Sequence, residues 1–158
     1  MDALEKASAY ISMRPHSEKE VSDYLLRKGY EPDEVSRALT QLKEYNYIDD
    51  IAFAKLYFEY GFEKGRGEGR IRRELAEKGV CRSDIDCAWD ELEEKPDEDE
   101  MAMKIARQVV MESGLDLGEM SYEERQKLQA KIVRRLASRG FRGSTCYSAA
   151  REAVKDNF

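Results

Sequence analysis

The sequence predicts an all-α protein of three tandem three-helix repeats, and three observations carry that expectation. One short pattern occurs three times along the 158 residues. Strand-type alternation is nearly absent, and apolar residues fall at helical spacing instead. A further amphipathic segment precedes each copy of the pattern, so the unit is three helices. Repetition of this kind builds an array of like units, which presents an extended surface to a partner and encloses no catalytic pocket.

Aligned on Gly29, Gly79 and Gly140, the copies agree residue by residue. A β-branched side chain stands eight before each glycine (Val21, Ile71, Ile132) and a leucine four before it (Leu25, Leu75, Leu136). A basic residue comes directly before the glycine (Lys28, Lys78, Arg139) and a large apolar one directly after (Tyr30, Val80, Phe141). Downstream, Val35, Ile85 and Cys146 correspond, then Ala38, Ala88 and Ala149, then Leu39, Trp89 and Ala150. The repeats are expected over 1–48, 49–95 and 96–158, the last with lengthened helices.

Ala3 to Met13 forms the first helix of the first repeat. Ser17 and Glu20 form a capping box that starts the second, in which hydroxyl and carboxylate each satisfy a backbone N–H. Gly29 ends that helix in a left-handed conformation. Pro32 sits in the first turn of the third, with Asp33 and Glu34 at the positive end of the helix dipole. Asp50 to Lys64 opens the second repeat, with Asp50 expected as N-cap before Ile51. Met101 to Met111 opens the third. The glycine spacing there grows by eleven residues between Glu94 and Gln126, about three helical turns, which lengthen helices without rotating their buried faces. Gly114 to Gly118 reads as a turn, and the capping box Ser121/Glu124 starts a long helix that runs to Arg139. The acidic stretch Glu91 to Glu100, broken by Pro96, is either a mobile hinge or a helix end, a loop and a helix start.

A net charge of −6 conceals separate acidic and basic regions. Residues 84–100 carry ten acidic side chains and one basic, whereas residues 125–151 carry eight basic and no acidic ones. That is a dipolar chain, not a uniformly acidic one. No apolar run reaches a membrane span, and no signal peptide is evident, which makes the cytoplasm the expected location. Three cysteines cannot all pair, and one histidine leaves no zinc set. Cys146 stands where Val35 and Ile85 stand and reads as a core residue.

The motifs that suggest chemistry have plainer readings. Adjacent Asp49 and Asp50 point in different directions and find no third acid at helical spacing. Gly65-Arg66-Gly67-Glu68-Gly69 lacks the features of a dinucleotide or P-loop, so it reads as a flexible link whose arginines can touch a polyanion. The nine tyrosines are expected to pack with their hydroxyls outward. No nucleophile–base constellation appears, so no catalytic residue, cofactor or metal is expected. On the helix Ser121 to Arg139, Lys127, Lys131, Arg134 and Arg135 gather in an arc of roughly 100°, away from the line of Leu128, Ile132 and Leu136. A solvated face normally mixes signs, and this one does not.

Tyr47-Ile48-Asp49-Asp50-Ile51-Ala52-Phe53-Ala54 resembles the aromatic-aliphatic-Asp-Asp-x-x-aromatic-Ala signature of the RecX family of recombinase regulators. The segments Arg27-Lys28-Gly29-Tyr30, Gly69-Arg70-Ile71-Arg72-Arg73-Glu74-Leu75 with Lys78-Gly79, and Leu136 to Phe141 extend the resemblance over nearly the whole chain. It implies an elongated, curved array, monomeric, lying in the groove of a RecA–single-stranded-DNA filament. It also implies inhibition of ATP hydrolysis, strand exchange and filament growth, modulating DNA repair and recombination, with DNA contact weak or indirect. Arg70, Arg72, Arg73, Lys127, Lys131, Arg134, Arg135, Arg139 and Arg142 are the candidate contacts to filament or phosphates. The alternative is a tandem helix-turn-helix DNA-binding protein. Against it, the last helices of the first two repeats are acidic where a groove-reading helix is basic.

Overall fold

The computed structural model describes residues 1–155, and its regular secondary structure is entirely helical over them. The helices are α1 (Ala3–Ile11), α2 (Glu18–Arg27), α3 (Pro32–Glu44), α4 (Asp50–Glu63), α5 (Glu68–Glu77), α6 (Arg82–Glu91), α7 (Glu98–Ser113), α8 (Tyr122–Ser138) and α9 (Gly143–Ala153). The last positions of the expected third repeat, 156–158, lie outside the described residues. The described residues divide into two compact units, residues 1–59 with 72–93, and residues 60–71 with 94–155.

The repeated pattern has a direct structural reading. Gly29, Gly79 and Gly140 have φ of 92°, 84° and 93°, a region that glycine enters without the Cβ penalty. At each, two hydrogen bonds close the helix. Tyr30 N–H donates to Leu25 C=O at 3.2 Å and Gly29 N–H to Leu26 C=O at 3.0 Å. Val80 and Gly79 repeat this on Leu75 and Ala76, and Phe141 and Gly140 on Leu136 and Ala137. This is the Schellman closure, in which the residue after the glycine folds back over the residue four before it. The leucine and the large apolar residue of the pattern are therefore the two ends of one capping contact. Val21, Ile71, Ile132, Leu25, Leu75 and Leu136 are all 0% exposed.

Within the first unit, α1, α2 and α3 close on a core of Ala3, Ala7, Val21, Leu25, Val35, Ala38, Leu42 and Ile48. Phe58 and Trp89 meet nearby at 5.4 Å between ring centroids. Within the second unit, α7, α8 and α9 close on Ala102, Ala106, Val109, Leu128, Ile132, Leu136, Phe141, Cys146 and Ala149. Burial pushes the Cys146 thiol up from its ordinary value, as its place in this core requires.

One contact recurs in both units. The C-cap carbonyl of α5, on Lys78, accepts the Ser17 hydroxyl from the N-cap of α2 at 2.7 Å. The C-cap carbonyl of α8, on Arg139, accepts the N–H of Gly67, the residue before α5, at 2.7 Å. A carboxylate completes each joint: Asp50 accepts the Glu18 N–H at 2.9 Å, and Glu98 accepts the Glu68 N–H at 2.6 Å. Both acids are the first residues of their helices, and both amides are the first of theirs.

This geometry corrects the expected N-cap of α4. Asp49, not Asp50, caps it, accepting the Ile51 and Ala52 N–H groups at 3.1 Å each. Asp50 is spent on the orphan amide of α2. Burial raises its pKa against the effect of the Glu18 N–H, and the charges of Glu18 and Asp84 add to the rise.

The glycine-rich segment also differs from a plain flexible link. Gly65, with φ of 76°, closes α4 by the same two-bond device, with Arg66 N–H on Gly61 C=O at 2.9 Å. A Cβ on Gly67 would lie 2.8 Å from the Gly140 carbonyl oxygen, and one on Gly69 3.0 Å from it. These glycines allow backbone to pass against backbone. The acidic stretch consists of the end of α6, residues 92–97, and the start of α7, whose N-cap Asp97 accepts the Asp99 N–H at 2.9 Å. The tyrosines divide: Tyr10 stacks on His16 and Tyr24 at 3.8 Å, while Tyr45, Tyr47, Tyr122 and Tyr147 stand largely exposed.

Candidate partner-binding site

Local chemistry fixes α8 first. Ser121 accepts the Glu124 N–H at 3.1 Å and Glu124 accepts the Ser121 N–H at 3.3 Å, so the expected capping box forms. Leu128, Ile132 and Leu136 bury one seam. Lys127, Lys131 and Arg134, at i, i+4 and i+7, then share a stripe that is exposed along its length. None of the three has an ion-pair partner among the described residues, and Arg142, exposed at the N-cap of α9, has none either.

The other candidates are placed differently. Arg135 meets Glu112 at 3.4 Å. Arg139 is the C-cap of α8, and its guanidinium lies against Gly65. Arg70, on α5, lies beneath Gly140, where a Cβ would come within 2.4 Å of its backbone nitrogen. Arg72 pairs with Asp86 at 2.6 Å, and its guanidinium carbon lies 5.7 Å from the Trp89 ring centroid and 6.0 Å from that of Phe58. Arg73 is exposed. Arg125 is also structural, with its guanidinium hydrogen-bonded to the carbonyls of Val154 and Leu117. Tertiary packing thus takes Arg72, Arg125 and Arg135 out of the free set and leaves Lys127, Lys131 and Arg134 as a cationic stripe.

Beside that stripe runs a groove of about 670 Å³ between α8 and α9. Ala130, Val133 and Ala150 give it apolar surface, Arg134, Arg151 and Tyr147 border it, and Gln126 and Gln129 complete the lining. Sequence reasoning names none of the glutamines as site residues and gives Tyr147 and Arg151 no place in a groove. The one legible signal is Ala150, which stands where Leu39 and Trp89 stand in the other copies. No group of His, Cys, Asp or Glu able to hold a metal ion occurs among the described residues, and no described helix is long and apolar enough to cross a membrane.

Two family models match the chain: the first three-helix domain of RecX over residues 3–42, and the second over residues 49–88. A regulatory protein RecX of Vibrio campbellii is 35% identical over 141 residues, 89% of this chain and 84% of that protein. A regulatory protein RecX of Lactobacillus johnsonii is 34% identical over 142 residues, 88% of this chain and 49% of that protein. The chain thus spans about half the length of several curated relatives that it matches. The crystal structure of RecX from Lactobacillus salivarius superposes with a TM-score of 0.76 at 22% identity, over 96% of this chain and 94% of that one.

Proposed function

This chain belongs to the RecX family of regulatory proteins, and from that premise we propose that it binds the RecA–single-stranded-DNA filament and inhibits it. The targets of inhibition are ATP hydrolysis, strand exchange and filament growth, so that DNA repair and recombination in the cytoplasm are modulated. In this reading the protein acts as a monomer, with repeats over 1–48, 49–95 and 96–158 as its scaffold. The RecX family is one of regulatory proteins and not an enzyme family.

The observation that supports this reading is the exposed stripe of Lys127, Lys131 and Arg134, which has no ion-pair partner among the described residues. Unpaired cations at such spacing are free to meet phosphates or an acidic protein surface. The test is titration into the cognate recombinase hydrolysing ATP on single-stranded DNA. Wild type is expected to inhibit, and the Lys127→Glu/Lys131→Glu/Arg134→Glu variant to need about tenfold more protein for the same effect, with its helical circular dichroism unchanged. Equal inhibition by the two would remove the stripe from the mechanism, and absence of inhibition by wild type would overturn the filament reading itself.

Charge argues against the tandem DNA-reading alternative. α3 holds Asp33, Glu34 and Glu44 against Arg37 and Lys43, and α6 holds Asp84, Asp86, Asp90 and Glu91 against Arg82. Helices so charged are repelled from a phosphate-lined groove. Binding to free single-stranded DNA is therefore expected to be weak and steeply salt-dependent.

A further inference from the structure

We propose that the groove between α8 and α9 is a docking site for an acidic, amphipathic helical segment of a partner protein. A cleft between α2 and α3 that overlaps this groove at three positions of the repeat register gives the starting comparison. It is lined by Ser22, Val35, Ser36 and Leu39 among others, has a volume of about 190 Å³, and carries no charged side chain. In the repeat register Val133 replaces Ser22, Tyr147 replaces Ser36, and Ala150 replaces Leu39. The leucine that lines the first cleft is thus absent from the second, which also runs on along Gln126, Gln129 and Ala130 of the longer α8 and measures about 670 Å³.

The replacements change chemistry as well as size. Ala130, Val133 and Ala150 offer apolar contact, Arg134 and Arg151 border it, and both arginines are exposed without an ion-pair partner among the described residues. Lys127 and Lys131 continue the positive rim along α8, and residues 125–151 contain no acid to neutralise it. An apolar trough between unpaired cations is complementary to a helix with an aliphatic stripe and glutamates on its flanks. A single-stranded nucleic acid would use successive aromatic platforms, and among the described residues Tyr147 is the only ring that lines this groove.

The inference stands apart from the filament proposal, because such a helix can bind whether or not the chain inhibits a recombinase. Its test uses a fluorescein-labelled synthetic helix of about 16 residues, rich in Glu with Leu at i, i+3, i+4 and i+7. The controls are the same peptide with Lys for Glu, and an oligo(dT) of similar length. Saturable anisotropy with the acidic peptide and none with the basic one is expected. The Arg134→Glu/Arg151→Glu variant should weaken binding at least about tenfold. Ala150→Leu should weaken it too, by restoring the side chain that the first cleft carries; if that variant fails to fold, the exposed charge reversals decide. No saturable binding to wild type, or binding indifferent to Arg134→Glu/Arg151→Glu, overturns the proposal. Displacement of the peptide by oligo(dT), with the same sensitivity to the variants, overturns it in favour of nucleic acid.

Discussion

The Gly67 N–H donates to the Arg139 carbonyl at 2.7 Å, and this single bond explains why two distant glycine motifs occur in one chain. Gly140 must be bare so that the α8 turn can approach the start of α5, and Gly67 must be bare so that α5 can receive it. The corresponding joint uses the Ser17 hydroxyl on the Lys78 carbonyl, with Gly79 against Lys19. Gly29 has the same positive φ but nothing within 4 Å of its would-be Cβ.

The three capping glycines should therefore differ sharply on substitution. Gly29→Ala carries only the left-handed backbone strain, about 1–2 kcal/mol. Gly140→Ala adds a Cβ at 2.4 Å from the Arg70 backbone nitrogen, and Gly79→Ala one at 2.4 Å from the Lys19 Cβ. Urea unfolding should rank Gly29→Ala as clearly the mildest. Equal losses at all three positions would show that the joints contribute nothing beyond local strain.

Asp49 and Asp50 separate by substitution in spite of their adjacency. Asp49→Ala removes the α4 cap and should cost about 1 kcal/mol. Asp50→Ala leaves the Glu18 N–H without its acceptor, a loss of about 1–3 kcal/mol. Asp50→Asn keeps a carbonyl acceptor and sheds a charge that burial disfavours, so it should stay within about 1 kcal/mol of wild type. Thermal melts of the three variants at neutral pH decide between these roles.

His16 should make stability pH-dependent. Its Nδ1 is buried with no hydrogen-bond partner, and burial, with the Arg14 charge, holds its pKa below the ordinary 6.5. Above that value the ring is neutral in both folded and unfolded chains. As pH falls through it, the unfolded chain takes up a proton that the folded one resists, so stability is lost downward from pH 6.5. His16→Phe, which preserves a ring against Tyr10, should flatten the urea midpoint between about pH 7.5 and 5. The depressed carboxyl of Glu20 adds its own loss only as pH falls below the ordinary 4.5. Burial alone would raise that pKa, but the Ser17 N–H, Lys78 and Arg14 outweigh it. A slope near pH 6 that persists in His16→Phe would assign the effect to another group.

Arg72 and Arg135 look alike in sequence and should behave differently. Arg72→Ala strips a guanidinium from the Trp89 and Phe58 rings and from Asp86, and should destabilise by about 1–2 kcal/mol. Arg135→Ala breaks a pair with Glu112 in which both side chains are more than a third exposed. Solvent screens such a pair, and the change should stay within about 0.5 kcal/mol. Parallel urea titrations give the comparison directly.

The helical architecture was legible in the chain because its signals are local. A capping box, a glycine four after a leucine, and an apolar period of 3.6 each act within a few residues, which is why Ser17, Ser121 and Gly114 appear where sequence places them. Cys146 was legible as core because the repeat register assigns it Val35's position. The division of labour between Asp49 and Asp50 was not, since the partner of Asp50 is the amide of Glu18 on another helix. Nor was the reason for Gly67, whose neighbour Gly140 lies far along the chain.

By itself, then, the sequence determined the helices, the capping boxes at Ser17 and Ser121, the repeated core positions and the concentration of positive charge in residues 125–151. Only the tertiary structure decided which charges are free. Arg72 is drawn to an aromatic face, Arg125 to two carbonyls and Arg135 to Glu112, while Lys127, Lys131 and Arg134 face solvent. The physical reason is range. Helix formation is settled by neighbours within one turn, whereas a side chain's charge is left free or engaged by residues that only folding brings to it.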